Sequence, residues 1–206
     1  MQLKPPLVLR FLLPGVTWKV NTSEKVIFVT FDDGPHPEIT MQVLDILDRF
    51  QAKATFFCVG ENVQKYPTTY AEILQRGHHA GNHTYNHLKG WKTNNKVYFN
   101  NIDKASRLIE SKLFRPPFGK ITPLQTLHLK RHYRIVMWSV ISYDFDARIS
   151  PEQCLDNVMK HSFPGTIAVF HDSVKSEKNL LTVLPWYLEA MSNKGYTFKA
   201  LEEQSL

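Results

Sequence analysis

The fold is decided by residues 26–35, which read VIFVTFDDGP. The first six of these residues are β-branched or aromatic and predict a buried strand, which Gly34-Pro35 ends by turning the chain. Because a strand interior does not tolerate unpaired charges, we expect Asp32 and Asp33 at the carboxyl end of the strand, where α/β proteins place their chemistry. Neighbouring side chains of a strand point in different directions, so one acid could bind a metal ion while the other moves a proton. Taken alone, the stretch also fits an ordinary Asp-Gly turn with a solvated acid.

Length and composition fit one domain with a full-sized core, since the chain has 206 residues and is 43% hydrophobic. Lysine and arginine number 25 against 19 acidic residues, which gives a net charge of +6. Because the basic residues are dispersed along the sequence, we predict no nucleic-acid partner, and an anionic polymer fits the charge balance equally well. Cys58 lies in an apolar strand pattern and Cys154 on a predicted helix, so both are predicted to be buried free thiols.

The N-terminal segment, residues 1–25, is predicted to pack on a catalytic domain formed by residues 26–206. Residues 7–13 are apolar, but Arg10 interrupts them and Pro14-Gly15 ends them, so the run is too short to span a bilayer. No small-residue cleavage site follows, so no signal peptide is recognised and a cytoplasmic location is the default expectation. A peripheral membrane contact is the alternative for this segment.

Strand and helix patterns alternate about seven times after this segment. Strands are predicted over residues 26–31, 53–59, 78–81, 134–138, 166–170 and 196–200. Helices are predicted over residues 37–50, 67–77 and 96–111, from a capping box at residues 150–153, and in a segment that stops at residue 195. The helix over residues 96–111 is expected to bury its apolar members: Val97, Ile102, Ala105, Leu108 and Ile109. Such alternation predicts a parallel α/β sheet, either open or closed into a barrel.

Two histidines, His83 and His87, are four residues apart after a predicted strand. On a helical turn this spacing places both imidazoles on one face, as two ligands of one metal ion require. The spacing alone is weak, because chance surface histidines produce it often. Together with the acidic pair at the end of another strand, it predicts two histidines and one aspartate around a catalytic zinc with open positions.

Two further segments carry candidate chemistry. Arg115 stands between Phe114 and a rigid pair of prolines, which suits a guanidinium that holds a carboxylate in place. His171, followed by Asp172 at another strand end, offers a proton donor near neutral pH. An ordinary surface ion pair and a structural His–Asp pair are the respective alternatives.

Four of these motifs occur in a fixed order: TFDDGP at residues 30–35, HTYNH at 83–87, RPPFG at 115–119 and FHD at 170–172. Together they resemble the polysaccharide deacetylases, the NodB-like carbohydrate esterases of family 4, over residues 26–200. The resemblance implies a distorted (β/α) barrel of about seven strand–helix units in a single domain. It also implies hydrolysis of an N-acetyl group on a sugar polymer by one divalent metal ion, with Zn²⁺ first and Co²⁺, Ni²⁺ or Mn²⁺ as alternatives.

The resemblance also assigns roles to residues. It implies that Asp33, His83 and His87 are the metal ligands and that Asp32 is the general base for the metal-bound water. Arg115 would orient Asp32.

On the substrate side, the resemblance implies that the backbone N–H of Phe118 stabilises the oxyanion. His171 would be the general acid that protonates the leaving amine. Val169 would help to line the pocket for the acetyl methyl group.

The fourth motif departs from the family pattern of Asp-Ser-x-Asp-Trp. This chain keeps Asp144, but Ile141 replaces the first acid and Phe145 replaces the tryptophan. Asp144 and Phe145 are still expected beside the substrate. With Ile141 in that place, His171 either lacks its usual partner or uses another acid such as Asp146.

The predicted function is removal of N-acetyl groups from a glycan partner, either peptidoglycan or a chitin-like polymer of N-acetylglucosamine. Because such substrates belong to the cell envelope, the envelope is the alternative to a cytoplasmic location. An O-acetyl esterase of the xylan type and a catalytically silent carbohydrate-binding relative are the alternatives. The sequence predicts no oligomeric state.

Overall fold

A computed structural model describes residues 13–203 of the chain. Its strands are β1 (Val16–Thr17), β2 (Val26–Asp32), β3 (Ala54–Cys58), β4 (His79–Asn82), β5 (Leu113–Phe114), β6 (Arg134–Val136), β7 (Val140–Ile141), β8 (Thr166–His171) and β9 (Thr197–Phe198). Its α-helices are α1 (Ile39–Arg49), α2 (Gly60–Lys65), α3 (Pro67–Gln75), α4 (Asn95–Ser106), α5 (Pro123–Leu129), α6 (Pro151–Met159) and α7 (Glu177–Asn193). Two 3₁₀ turns lie at Gly90–Lys92 and Pro117–Gly119.

All strand pairs in the sheet are parallel, in the order β1-β6-β5-β4-β3-β2-β8-β7, with β9 beside β2. Strands β6 and β7 lie near opposite ends of this order, yet only residues 137–139 separate them along the chain. Four residue steps span at most about 14 Å, so the sheet has to curl until its two ends approach each other. The predicted distorted (β/α) barrel is therefore confirmed.

Strand β2 is central, and all seven of its residues are buried, as its composition predicts. The ring of Phe31 stacks on Phe56 of β3 with centroids 4.8 Å apart. Cys58 and Cys154 are both buried and free, which confirms that prediction. The carboxyl ends of parallel strands share one edge, so residues that follow β2, β4, β5, β7 and β8 meet there.

Several helix boundaries follow from local capping. The predicted capping box is present at α6, where Ser150 accepts from the amide of Gln153 and Gln153 accepts from that of Ser150. An equivalent box of Thr122 and Gln125 begins α5, a helix that the sequence patterns did not indicate.

The predicted helix over residues 96–111 is shorter in the structure, and two of its expected core residues are wrong. Helix α4 ends at Ser106, so Leu108 lies beyond it and is 36% exposed, while Val97 in the first turn is 54% exposed. Ile102 and Ala105 are buried as expected. Leu108 was misplaced because helical spacing has no meaning once the helix has stopped, and Val97 lies on the exposed side of the first turn. Ile109, beyond the helix end, is buried as predicted.

The N-terminal segment is described only from residue 13 onward, so residues 7–12 of the predicted apolar run lie outside the described part. Strand β1 pairs with β6, and Leu13, Trp18 and Val20 are buried against the rest of the chain. Within residues 13–203, no helix combines the length and the apolarity needed to cross a lipid bilayer. The division at residue 25 stays a prediction.

Candidate metal centre and active site

The two adjacent acids point to different partners at the carboxyl end of β2. Asp32 is the last residue of the strand, and its Oδ1 accepts a hydrogen bond of 2.7 Å from Nη1 of Arg115. Asp33 follows with a φ of 82°, and its Oδ1 lies 3.1 Å from Nε2 of His87 and 3.9 Å from Nε2 of His83. The end of the strand at Asp32 and the left-handed backbone of Asp33 thus separate a carboxylate held by arginine from a carboxylate that faces two imidazoles.

Asp33, His83 and His87 form a group that fits a divalent metal ion. One potential ligand atom from each residue lies within 4.8 Å of the others. Nδ1 of His83 is 2.7 Å from the backbone oxygen of Arg115, which can only accept, so Nδ1 carries the proton and Nε2 keeps its lone pair. Burial lowers the pKa of His83 to about 4, so the imidazole is neutral at pH 7, as a ligand must be. Two imidazoles and a carboxylate form a donor set typical of catalytic zinc.

The charge of Asp33 also suits a metal ligand. Burial by itself would raise the pKa of this carboxyl, but the hydrogen bond from His87 and the nearby His171 outweigh it and lower the pKa below its ordinary value. The backbone oxygen of Asp33 accepts a hydrogen bond of 2.7 Å from Nδ2 of Asn62, which fixes the residue from its other side.

The loop that carries the two histidines is not helical, contrary to the helical turn that their spacing suggested. Thr84 and His87 have φ angles of 66° and 59°. Asn82, at the end of β4, accepts from the amide of Thr84 at 2.8 Å and donates to the oxygen of Ile102 at 3.0 Å. Asn82 therefore shapes the loop, and the sequence analysis missed it.

Arg115 is fully buried and links several strands at the site. Its guanidinium donates to Asp32, to Oγ1 of Thr30 at 2.8 Å, and to the backbone oxygens of Val136 and Met137 at 3.2 and 2.9 Å. These contacts leave no rotational freedom, so the arginine holds Asp32 in one orientation.

His171 does have a carboxylate partner, and it is Asp144. Nδ1 of His171 donates to Oδ1 of Asp144 at 2.8 Å, and the backbone amide of His171 donates to Oδ2, also at 2.8 Å. The expectation of a missing partner, or of Asp146 in its place, is therefore wrong, because Asp146 pairs with Arg148 instead. Burial by itself would lower the pKa of His171, but Asp144 outweighs it and raises the pKa to about 9.

Asp172 is a structural acid rather than a partner of the neighbouring His171. Its carboxylate accepts from the amide of Gly34 at 3.0 Å and from Oγ1 of Thr40 at 2.6 Å. Burial raises the pKa of Asp172 to about 8. A Cβ atom on Gly34 would overlap this carboxylate, so the turn after Asp33 requires glycine.

These groups open into one cavity of about 720 Å³. Its lining includes Asp32, Asp33, His83, His87, Phe118, Trp138, Ile141, Tyr143, Phe145 and His171. Ile141, where the resemblance leads us to expect an acid, thus presents an apolar side chain to the cavity. Val169 is fully buried and is not part of this lining.

Phe118 combines an exposed ring with an unused backbone donor. The residue is 53% exposed, and its ring centroid lies 4.5 Å from that of His87. Its φ is 60°, and within residues 13–203 its amide has no hydrogen-bond acceptor. The N–H is therefore available to a ligand beside the metal group.

Comparison with known proteins places the chain in a family. The sequence profile described as polysaccharide deacetylase matches residues 19–133, which is more than half of the chain. The chain belongs to the polysaccharide deacetylase family. Six site residues of the chain lie inside the matched range, namely Asp32, Asp33, His83, His87, Arg115 and Phe118, whereas Asp144 and His171 follow it.

The relatives of this polysaccharide deacetylase include enzymes named for several glycans. A peptidoglycan-N-acetylglucosamine deacetylase of Bacillus cereus is 35% identical, and the alignment covers 91% of this chain and 92% of that enzyme's length. The peptidoglycan-N-acetylmuramic acid deacetylase PdaC of Bacillus subtilis is 31% identical over 89% of this chain and 40% of its own. A chitooligosaccharide deacetylase of Azorhizobium caulinodans is 28% identical over 91% of this chain and 98% of its own.

Solved structures agree with the fold of the polysaccharide deacetylase chain. The Bc1960 peptidoglycan N-acetylglucosamine deacetylase superposes with a TM-score of 0.87 at 31% identity, covering 96% of this chain and 95% of that one. A family 4 pseudoenzyme of Bacillus anthracis superposes with a TM-score of 0.82 at 23% identity, over 96% of this chain and 71% of its own, which is a likeness of fold alone.

Proposed function

We propose that this chain hydrolyses the N-acetyl amide of N-acetylglucosamine in peptidoglycan, with a divalent metal ion, Zn²⁺ first, held by Asp33, His83 and His87. The observation that supports it best is the arrangement around the cavity. The three-ligand group stands beside a carboxylate fixed by Arg115, and His171 with its own carboxylate lines the same cavity.

The ion would polarise the acetyl carbonyl and lower the pKa of a water molecule. Asp32 would accept the proton of the attacking water, and the Arg115 guanidinium holds that carboxylate in one orientation. The backbone N–H of Phe118 donates to the oxygen that becomes negative as the carbonyl carbon turns tetrahedral.

Collapse of the tetrahedral carbon needs an acid, because a sugar amine does not leave as an anion. His171 is protonated at neutral pH when Asp144 raises its pKa, so it can give a proton to the nitrogen as the C–N bond breaks. The products are acetate and a free amine. Ile141 and Phe145 supply apolar surface near His171, and we assign the acetyl methyl group to this surface instead of to the buried Val169.

Peptidoglycan is proposed as the substrate because the relatives named for it cover this chain well at 35% and 31% identity. This substrate requires the protein to reach the cell wall. Acetate release from peptidoglycan, a chitin oligomer and acetylated xylan, measured side by side after metal reconstitution, tests the proposal. We expect zinc-dependent release from peptidoglycan that a chelator abolishes and added Zn²⁺ restores.

Release from acetylated xylan alone would replace the proposal with an O-acetyl esterase. Glycan binding without metal-dependent release from any of the three would replace it with a silent binding protein. Activity restored by Co²⁺, Ni²⁺ or Mn²⁺ and not by Zn²⁺ would contradict only the choice of ion.

A further inference from the structure

A strip of aromatic and basic side chains borders the cavity next to Phe118. We call it the basic ledge, and it consists of Lys89, Trp91, Phe118 and Lys120. Phe118 joins it to the metal group through its contact with His87. Nζ of Lys89 lies 4.3 Å from the centroid of the Phe118 ring, and Nζ of Lys120 lies 4.3 Å from that of Trp91. Positive charges and aromatic faces are thus paired along one surface.

The basic ledge is a built surface, because its two loops are joined by specific contacts. Nε1 of Trp91 donates to the backbone oxygen of Ile121 at 2.7 Å, and Nε2 of Gln125 donates to that of Gly90 at 3.0 Å. A Cβ atom on Gly90 would lie 2.6 Å from the backbone oxygen of Lys120, so the close approach of the loops requires glycine.

The two segments that form the ledge carry lysines and no acids, although the basic residues are dispersed along the sequence as a whole. Residues 86–96 carry three lysines, and residues 117–125 carry one. Neither segment contains an acidic residue. Between residues 13 and 203, no salt bridge joins Lys89 or Lys120 to an acidic side chain. The positive charge is therefore available to an anionic ligand.

The aromatic members are exposed as well, with Trp91 at 54% and Phe118 at 53%. Exposed aromatic rings beside an active-site cavity provide flat surfaces on which the apolar face of a sugar ring can stack. We propose that the basic ledge binds the glycan strand next to the sugar under attack, and that its lysines select strands bearing carboxylates. Alternate sugars of peptidoglycan bear a lactyl group whose carboxylate is either free or extended by a peptide that carries carboxylates, whereas a chitin oligomer is neutral. This inference rests on the proposed function, since the ledge is a subsite of that active site.

An anionic membrane is the rival ligand for a surface that is both basic and apolar. Leu124 and Leu127 on α5 are 61% and 50% exposed and would suit it. The contact between the Phe118 and His87 rings favours the glycan, because it makes the ledge continuous with the cavity in which the reaction takes place.

The test compares Lys120→Gln, Trp91→Ala and Trp91→Phe on two zinc-reconstituted reactions. The substrates are a soluble peptidoglycan fragment and a chitin oligomer of the same number of sugars. Lys120→Gln should raise KM for the peptidoglycan fragment about two- to fivefold and change that for the chitin oligomer less than twofold. Trp91→Ala should raise KM about three- to tenfold on both, with kcat within about twofold. Trp91→Phe keeps an aromatic face and should retain most of the affinity.

Lys194→Gln is the matched control, because it removes one exposed lysine just before β9, at the amino ends of the strands and so on the edge of the sheet opposite to the cavity. It should leave both KM values unchanged. Added salt should raise the wild-type KM for the peptidoglycan fragment and not that for chitin.

Three results would overturn the inference. Equal KM changes on both substrates with Lys120→Gln would show that carboxylates are not recognised. Similar losses of kcat with both Trp91 variants would show that the tryptophan only supports the loop of Phe118. If Lys120→Gln and Trp91→Ala lost binding to phosphatidylglycerol vesicles but kept the wild-type KM for both glycans, the ledge would be a membrane-binding surface.

Binding alone separates this inference from the proposed function. Calorimetry with zinc-loaded Asp32→Asn and the same two fragments should show the preference for the peptidoglycan fragment and its loss with Lys120→Gln. If that preference is present but the wild type releases no acetate, the proposed function fails and the ledge stands. If acetate is released but the preference is absent, the ledge fails and the function stands.

Discussion

His171 and Asp144 are joined at two points, through the imidazole Nδ1 and through the backbone amide of the histidine, both at 2.8 Å. One carboxylate therefore sets the orientation of the ring and stabilises its positive charge. The backbone oxygen of Asp144 accepts from Nδ2 of Asn179 at 3.2 Å, which ties the loop after β7 to α7. The geometry assigns the tuning of the histidine to the second acid of the fourth motif, so the absence of the first acid at Ile141 leaves His171 supported.

Asp144→Asn should shift the pH dependence of the reaction. A general acid works while protonated, so a pKa near 9 keeps His171 active up to about that pH, with activity falling above it. Without the carboxylate charge, burial lowers the pKa, and the alkaline limb of kcat/KM should move toward pH 6.5 or below, the ordinary histidine value being about 6.5. A cation bound at Asp33 would repel the His171 imidazolium in the wild type and in Asp144→Asn alike, so the test is the difference between their two pH profiles.

The control for this prediction is Asp146→Asn, which removes the acid that pairs with Arg148. It should leave the pH profile unchanged. A shift with Asp146→Asn and none with Asp144→Asn would contradict the assignment of the partner.

The two acids after β2 should separate metal binding from turnover. Asp33→Ala removes a ligand and should abolish the stabilisation that zinc gives, which is about 2.7 kcal/mol when the metal is a hundredfold above its Kd. Asp32→Asn keeps an oxygen that can accept from Arg115 and should retain that stabilisation while losing turnover. Urea unfolding with and without Zn²⁺ measures it, and the exposed Asp103→Asn serves as the control. Equal loss of zinc stabilisation in both site variants would show that the two roles are not divided.

Much of this site was predictable because its residues stand beside strong local signals. The buried strand before Asp32 and the pair of prolines after Arg115 mark where the regular structure ends, and the two histidines keep a ligand spacing. The order of the four motifs then supplied the roles. The end of a strand and the break that prolines impose depend only on a few neighbouring residues, so a local pattern records them.

Backbone strain at the cavity was not predictable. Asp33, His87, Phe118 and Tyr143 line the cavity and have φ angles between 59° and 82°, a region unfavourable to residues other than glycine. Contacts distant in sequence hold these angles, such as the bond from Asn62 to Asp33, and no local pattern records them.

Pairing between distant segments was equally hidden. Strand β7 has only two residues, Val140 and Ile141, which is too short for a periodic pattern, so the loop that follows it could not be aligned with β8 from the sequence. The partner of His171 was misjudged for this reason. The register that places Ile141 beside Val169 brings Asp144 to the histidine.

Gly34→Ala should weaken the metal site through a steric clash, and not through the loss of glycine's conformational freedom. An added Cβ would overlap the Asp172 carboxylate, so the turn or the carboxylate has to move, and Asp33 directly precedes the turn. We expect zinc affinity to fall by about tenfold or more, as for the loss of groups that support a metal ligand. Calorimetric titration with Zn²⁺ measures it.

Gly195→Ala is the matched control, because that glycine has a φ of 79° in a turn away from the cavity, and a Cβ atom there would meet only the Lys25 side chain at ordinary contact distance. It should cost about 1 kcal/mol of unfolding free energy and leave zinc affinity unchanged. Equal zinc affinity in Gly34→Ala and the wild type would show that the contact with Asp172 does not position Asp33.

His171→Ala should reveal the general acid through its dependence on the leaving group. Amide hydrolysis requires a proton on the departing nitrogen, and a positioned acid supplies about 10²- to 10⁴-fold in rate. We expect the variant to lose that factor on the N-acetylated glycan and much less on an activated aryl acetate, whose phenolate leaves without a proton. Zinc-induced stabilisation should persist, because His171 is not among the metal ligands. The exposed His132→Ala controls for loss of a histidine elsewhere, and equal losses on both substrates with His171→Ala would show that the proton comes from another group.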